Sequence, residues 1–224
     1  MGGSVGENRA SADENAAGPA SGPDLTQEAL RQLFDARLDF AGLASPADLK
    51  LHGSEEDAPP ALRDAAVLIP IVARTSGLTV ILTRRPDHFN SHPGQVAFPG
   101  GRIDPGDAGP VEAALREAEE EIGLPPSLVD VRGVLEPFAT GTGFKIYPVV
   151  GFVDPRFTPK INEEEVAEAF EVPFAFLMDP TNHQEKSGEF RGAVRRYYEM
   201  PYGGQRIWGA TAHMIVKLYR RVFG

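Results

Sequence analysis

One segment constrains the fold more than any other: Pro110 to Ile122, bracketed by residues that start and stop a helix. Pro110 suits a first helical position, and Gly123 with Pro125 supplies the stop. Ala114, Ala118 and Ile122 recur on one stripe with Leu115 beside it, so this helix docks against a core. The rest of its surface carries charge. Glu117, Glu120 and Glu121 stand at i, i+3 and i+4, which puts the three carboxylates on one face. Like charges so spaced repel by roughly 0.2–0.5 kcal/mol per pair at a surface, and by more when desolvated. Arg116 lies four residues before Glu120 and can pair with it, but one guanidinium does not neutralise three carboxylates. A hard divalent cation such as Mg2+ or Mn2+ does, because it favours carboxylate oxygens. The plain alternative is a solvated acidic face. The Gly100-Gly101 lead-in argues against that, since glycine lets backbone groups approach a ligand closely.

The rest of the chain supports one soluble domain. Its 224 residues, 42% hydrophobic and 24% charged, suffice for a core without staples. There is no Cys, which excludes disulfides, zinc-thiolate and Fe–S sites and a Cys nucleophile. The 22 basic and 32 acidic side chains give a net charge of −10, which argues against a nucleic-acid binder. No window approaches a membrane span. Residues 1–24 contain fifteen Gly, Ala, Ser or Pro and no Leu, Ile or Phe, so a disordered tail is expected there. They lack the pattern of a secretory signal, and a cytoplasmic location is expected.

Residues 25–224 read as a single domain, opened by a helix over 25–41 with Asp24 and Gln27 as its capping box. Strands are expected over Ala65–Ala73, Leu78–Thr83, Gln95–Phe98, Val129–Phe138, Lys145–Val153 and Phe190–Met200. Glu163–Phe170 reads as a short helix, and Ala210–Val222 as a closing one. The mixture makes the fold α/β or α+β.

Within Gly100–Leu124, GGRIDPGDAGPVEAALREAEEEIGL, the residues resemble the Nudix box, G-x5-E-x7-R-E-U-x-E-E-x-G-U with U bulky and aliphatic. Arg116, Glu117, Glu120, Glu121, Gly123 and Leu124 fall on it, with Ala118 at the first U. Asp107 stands in place of the first Glu, and eight residues rather than seven separate it from Arg116. The coenzyme A pyrophosphatase branch shares both departures. Upstream, that branch reads L-L-T-x-R-x-x-x-L-R-x-H-x-G-x-x-x-F-P-G-G. This chain offers Leu82, Thr83, Arg84, His92, Gly94, Gln95 and Phe98 to Gly101, with Asn90 where the branch has Arg. The runs Thr142–Gly151, Asn162–Pro173 and Ile207–Thr211 are similar to the same branch.

The resemblance implies an α/β/α sandwich around a mixed β-sheet. It also implies hydrolysis of the diphosphate of coenzyme A or its derivatives to 3′,5′-ADP and (acyl-)4′-phosphopantetheine, with Mg2+ or Mn2+ as cofactor. Glu117, Glu120, Glu121 and the Gly101 carbonyl are then the metal ligands, with Glu120, Glu165 and Arg116 as catalytic residues. Glu165 serves as ligand or general base, with Glu164 and Glu168 as alternatives, and Arg116 orients the carboxylates. Arg84, His92, Arg102 and Lys145 are the expected contacts to a small nucleotide substrate. No nucleic-acid or membrane partner is expected, and a homodimer stays open. Other nucleoside diphosphate derivatives, a non-catalytic sensor and a structural Ca2+ helix are the alternative readings.

Overall fold

The computed structural model describes residues 26–38, 62–88, 93–190 and 193–224. At its centre is β1 (Arg63–Arg74), whose residues from Ala65 to Val72 are all buried. A strand covered on both faces needs an unbroken apolar run, as this one has. The chain turns back into β2 (Gly77–Arg84), with Arg74 opposite Gly77. Gly77 takes φ +119°, a conformation a side chain would strain.

On its other side β1 pairs in parallel with β7 (Phe144–Val153) along ten residues. The short β4 (Gly100–Arg102) pairs with β1 at Ala65–Val67. With β3 (Val96–Ala97), β5 (Val129–Val134), β6 (Phe138–Ala139) and β8 (Glu168–Pro173) these form one eight-stranded mixed sheet whose main path runs β3-β2-β1-β7-β5.

Strand alternation sends the buried residues into two cores. Ala66 and Leu68 of β1 face α2 (Pro110–Ile122), which buries Ala113, Ala114, Ala118 and Ile122. Ile69 and Ile71 face the opposite layer, built from α1 (Gln27–Arg37) and α4 (Gly209–Phe223). The expected α/β/α sandwich is therefore the observed one. A three-stranded antiparallel sheet of β9 (Gln184–Phe190), β10 (Ala193–Tyr202) and β11 (Gln205–Trp208) contributes Met200 and Ile207 to the second core. A short α3 (Phe174–Leu177) follows β8. Among the described residues no helix is long and apolar enough to cross a membrane.

Several expectations are corrected. The helix expected over Glu163–Phe170 is a turn followed by β8. Val166 and Phe170 mimic helical spacing, but β8 finds the open edge of β2 and pairs with it from Arg84↔Glu168 to Thr79↔Pro173. Tertiary pairing overrides a weak local signal. Val129–Phe138 divides into β5 and β6, after a register shift between Val131 and Gly133. The strand expected over Phe190–Met200 is the second arm of a hairpin whose first arm, β9, is polar and exposed over residues 184–189. Such a strand shows no hydrophobic alternation to read. The α1 N-cap is Thr26, which accepts from Ala29 N–H at 3.2 Å. Asp24, the tail over 1–24 and the helical continuation over 39–41 lie outside the described residues.

Candidate active site

The carboxylates owe their placement to how α2 begins, docks and ends. Pro110 occupies its first turn, and Gly123 closes it in the left-handed conformation at φ +66°, with its N–H on the carbonyls of Ala118 and Glu119. The buried alanines bring the axis close to β1, where larger side chains would hold it away. One flank of the helix consequently lies against β4.

On that flank the Glu121 carboxylate accepts from Gly100 N–H at 3.3 Å, and Glu117 leans over Gly101. A Cβ on Gly101 would occupy the space of the Glu117 carboxyl group. Glu120 points outward, its side chain 52% exposed.

Arg116 ties the cluster together. Its Nε and Nη2 donate to the two oxygens of Asp107, each at 3.0 Å, in a bidentate pair. Nη1 donates at 3.0 Å to both Glu117 and Glu120, and Nη2 also reaches the Arg102 carbonyl at 3.1 Å. The Asp107 side chain is 6% exposed, and the hydrogen bonds from Arg116 hold its carboxyl below the usual range. The same pairing raises Arg116 well above the ordinary guanidinium value, so it is a permanent cation.

The remaining carboxylates are poorly compensated. Burial pushes Glu121 up to about 8, and the negative charges of Glu117 and Glu165 add to the shift. Gly100 N–H and the charge of Arg85 oppose it. Glu117 is raised by burial against the opposing hydrogen bond from Arg116, and again Glu120 and Glu165 contribute. Glu165 arrives from the turn before β8, which Asn162 N–H fastens to the Glu121 carbonyl at 2.9 Å, and its negative charge acts on both helix residues. Among the described residues no three acidic or histidine side chains already form a closed set of metal ligands. The donor set nevertheless fits a hard divalent cation, because a half-buried carboxylate under the negative charge of two others is stabilised by added positive charge.

The sequence model of the NUDIX domain matches residues 62–195. The chain belongs to the Nudix family. The Nudix hydrolase NudL of Yersinia enterocolitica is 46% identical over 158 residues, covering 70% of this chain and 80% of its own. NudL of an Enterobacter species is 44% identical over 157 residues, covering 70% and 81%. A crystal structure of the Mycobacterium smegmatis Nudix hydrolase RenU is 26% identical, covers 50% of this chain and 71% of its own, and gives a TM-score of 0.44. Membership carries the Nudix reaction class, hydrolysis of a diphosphate bond in a nucleoside diphosphate derivative, for which members use divalent ions such as Mg2+ or Mn2+.

Against the Nudix pattern, the expected basic contacts divide. The Arg102 carbonyl is part of the Arg116 network. Lys145 lies over the ring of Tyr147 at 4.9 Å, on β7 across β1 from β4. His92 and Asn90 lie outside the described residues.

Arg84 turns away from the carboxylates. Its Nε is 3.4 Å from Glu168, whose carboxylate also accepts from Gln205 at 2.9 Å. Ile81 sits in the α2 core and Leu82 in the opposite one, so alternation along β2 sends Arg84 to the opposite side. It is Arg85 whose charge acts on Glu121. The upstream pattern holds the signal: one residue separates its threonine from its arginine, and from Thr83 that spacing leads to Arg85. Phe98 is 2% exposed and belongs to the core.

Proposed function

We propose that the protein is a metal-dependent pyrophosphohydrolase acting on coenzyme A or its acyl derivatives, releasing 3′,5′-ADP and (acyl-)4′-phosphopantetheine. The observation that carries this reading is the bidentate Asp107–Arg116 pair. Asp107 departs from the general box in both identity and spacing, as the coenzyme A branch does, and here it is the residue that orients Arg116 toward Glu117 and Glu120. Asn90, where the branch has Arg, favours a second reading with NADH or ADP-ribose as substrate.

Glu117, Glu120, Glu121 and the Gly101 carbonyl would hold Mg2+ or Mn2+, with the negative charge of Glu165 adding to the affinity, and the ion when bound neutralises diphosphate charge and lowers the pKa of a coordinated water. The chain's own residues supply the rest. Arg116 keeps Glu117 and Glu120 in place, and Arg85 offers the phosphates a cation beside Glu121. Glu165 accepts the proton as water attacks phosphorus and the bond to the bridging oxygen breaks. The leaving phosphate departs with that oxygen.

Side-by-side assays of coenzyme A, acetyl-coenzyme A, NADH, ADP-ribose and dinucleoside polyphosphates with Mg2+ and Mn2+ test the reading. The coenzyme A compounds should lead in kcat/KM by about tenfold or more, a margin of ~1.4 kcal/mol. Parity with NADH or ADP-ribose overturns the assignment. A second expectation concerns Gly101: Gly101→Ala displaces the Glu117 carboxyl and should weaken Mn2+ binding by about tenfold or more. Gly106, whose added Cβ would meet nothing within 4 Å, is the control, and Gly106→Ala should bind Mn2+ as the parent does. Calorimetric titration of both variants decides it.

A further inference from the structure

The segment between β7 and β8 is fastened to the C-terminal end of α2, the helix that carries the carboxylates. Lys160 N–H donates to the Ile122 carbonyl at 2.9 Å, and Asn162 N–H donates to the carbonyl of Glu121 itself at 2.9 Å. Gly123 admits this approach, since a Cβ there would meet the Lys160 carbonyl at 3.2 Å. Asn162 then folds the chain back on itself. Its carbonyl accepts from Glu165 N–H at 3.0 Å and Val166 N–H at 2.8 Å. Its side-chain Oδ1 accepts from Glu164 N–H at 3.2 Å. Beyond the turn Val166 is 1% exposed, and Ala167 N–H donates to the Arg84 carbonyl at 2.8 Å.

This turn carries Glu163, Glu164 and Glu165 in succession, all exposed, and the charge of Glu165 acts on Glu117 and Glu121 of the helix. Coulomb repulsion alone would move it away from the helix. Two sets of bonds oppose that movement: the backbone of Asn162 links the Glu121 carbonyl to Glu165 N–H, and its side-chain Oδ1 closes the turn on Glu164 N–H.

We propose that Asn162 is a positioning residue, whose side-chain Oδ1 closes the turn on Glu164 N–H and so sets the stance of the Glu165 carboxylate on a segment that the backbone fastens to the Glu121 carbonyl. The proposal rests on the reading of Glu165 as part of the hydrolytic site. Its consequence is specific: Asn162 matters to the chemistry through Glu165 and through no other group. A short polar side chain that accepts from the N–H two residues on suits this turn.

A double-mutant cycle tests it, with Mn2+ affinity of the substrate-free protein and kcat as separate readouts. Asn162→Ala should weaken Mn2+ binding and lower kcat by about tenfold each, with KM nearly unchanged. Asn162→Ser keeps an oxygen acceptor for Glu164 N–H and should recover most of both losses. In the Glu165→Gln background, Asn162→Ala should change neither readout by more than about twofold, because the group it positions is gone. Equal losses in both backgrounds would falsify the proposal, and so would an Asn162→Ala protein matching the parent. Asn162→Gln, which moves the acceptor by one methylene, is the second variant should Asn162→Ala fail to fold, and the same non-additivity is expected of it. Mn2+ affinity is read without substrate, so a parent that ignores coenzyme A overturns the proposed function and leaves this cycle readable.

Discussion

Glu121→Gln is expected to inactivate the enzyme while stabilising its metal-free form. The activity loss should be about 10²–10³ in kcat at saturating Mg2+, the scale seen when one electrostatic contributor to charge stabilisation is removed. The stability gain has the opposite cause. In the metal-free fold the Glu121 carboxyl is half-buried and feels the negative charges of Glu117 and Glu165, and its pKa rises from 4.5 to about 8. A carboxyl whose folded value lies above its unfolded one contributes stability that is fully present below the unfolded pKa, and that stability is lost as pH rises through the folded pKa. Metal-free parent protein should therefore melt lower at pH 9 than at pH 6, by roughly 5 °C or more. The Gln variant should show little of this slope, and Mg2+ should remove it from the parent, since binding to the folded state adds stability by mass action. Thermal melts at the two pH values, in chelator and in Mg2+, read every arm. A parent whose melting temperature is flat or rising over that range refutes the account of Glu121.

The second large effect lies far from the site. Phe34→Ala is expected to cost about 3–5 kcal/mol and roughly 10 °C in Tm, read by chemical and thermal denaturation. Phe34 and Leu30 of α1 are both 0% exposed, and the Phe34 ring lies 5.5 Å from that of Phe152 on β7. Ion pairs from Arg31 to Asp130 and from Arg132 to Asp35 join the same helix to β5. Arg37 donates to the carbonyl of Gly224 at 3.0 Å, which links α1 to the last residue of the chain. Helix α1 thus belongs to the second core and is more than an appendage of the catalytic layer. A loss below ~1 kcal/mol would show it to be a loosely held extension.

The two cores account for what could be read ahead of the structure. The apolar run of β1, the stripe of α2 and the caps Pro110 and Gly123 are local signals, and each keeps its meaning in the folded chain. The polar arm β9 and the β8 strand gave no such signal, since pairing along an open edge is a property of the partner strand.

By itself the sequence determined the acidic helix, its boundaries and the Gly100-Gly101 approach, because spacing along one helix places side chains on a face without help from elsewhere. The fold decided the rest. It paired Arg84 with Glu168, on the side that the alternation of β2 between two layers dictates. It set Asp107 against Arg116 across nine positions and fastened the turn of Glu165 to the Glu121 carbonyl, through Asn162, across about forty. Those contacts depend on loops closing over a packed sheet, and sequence separation carries no record of where a loop returns.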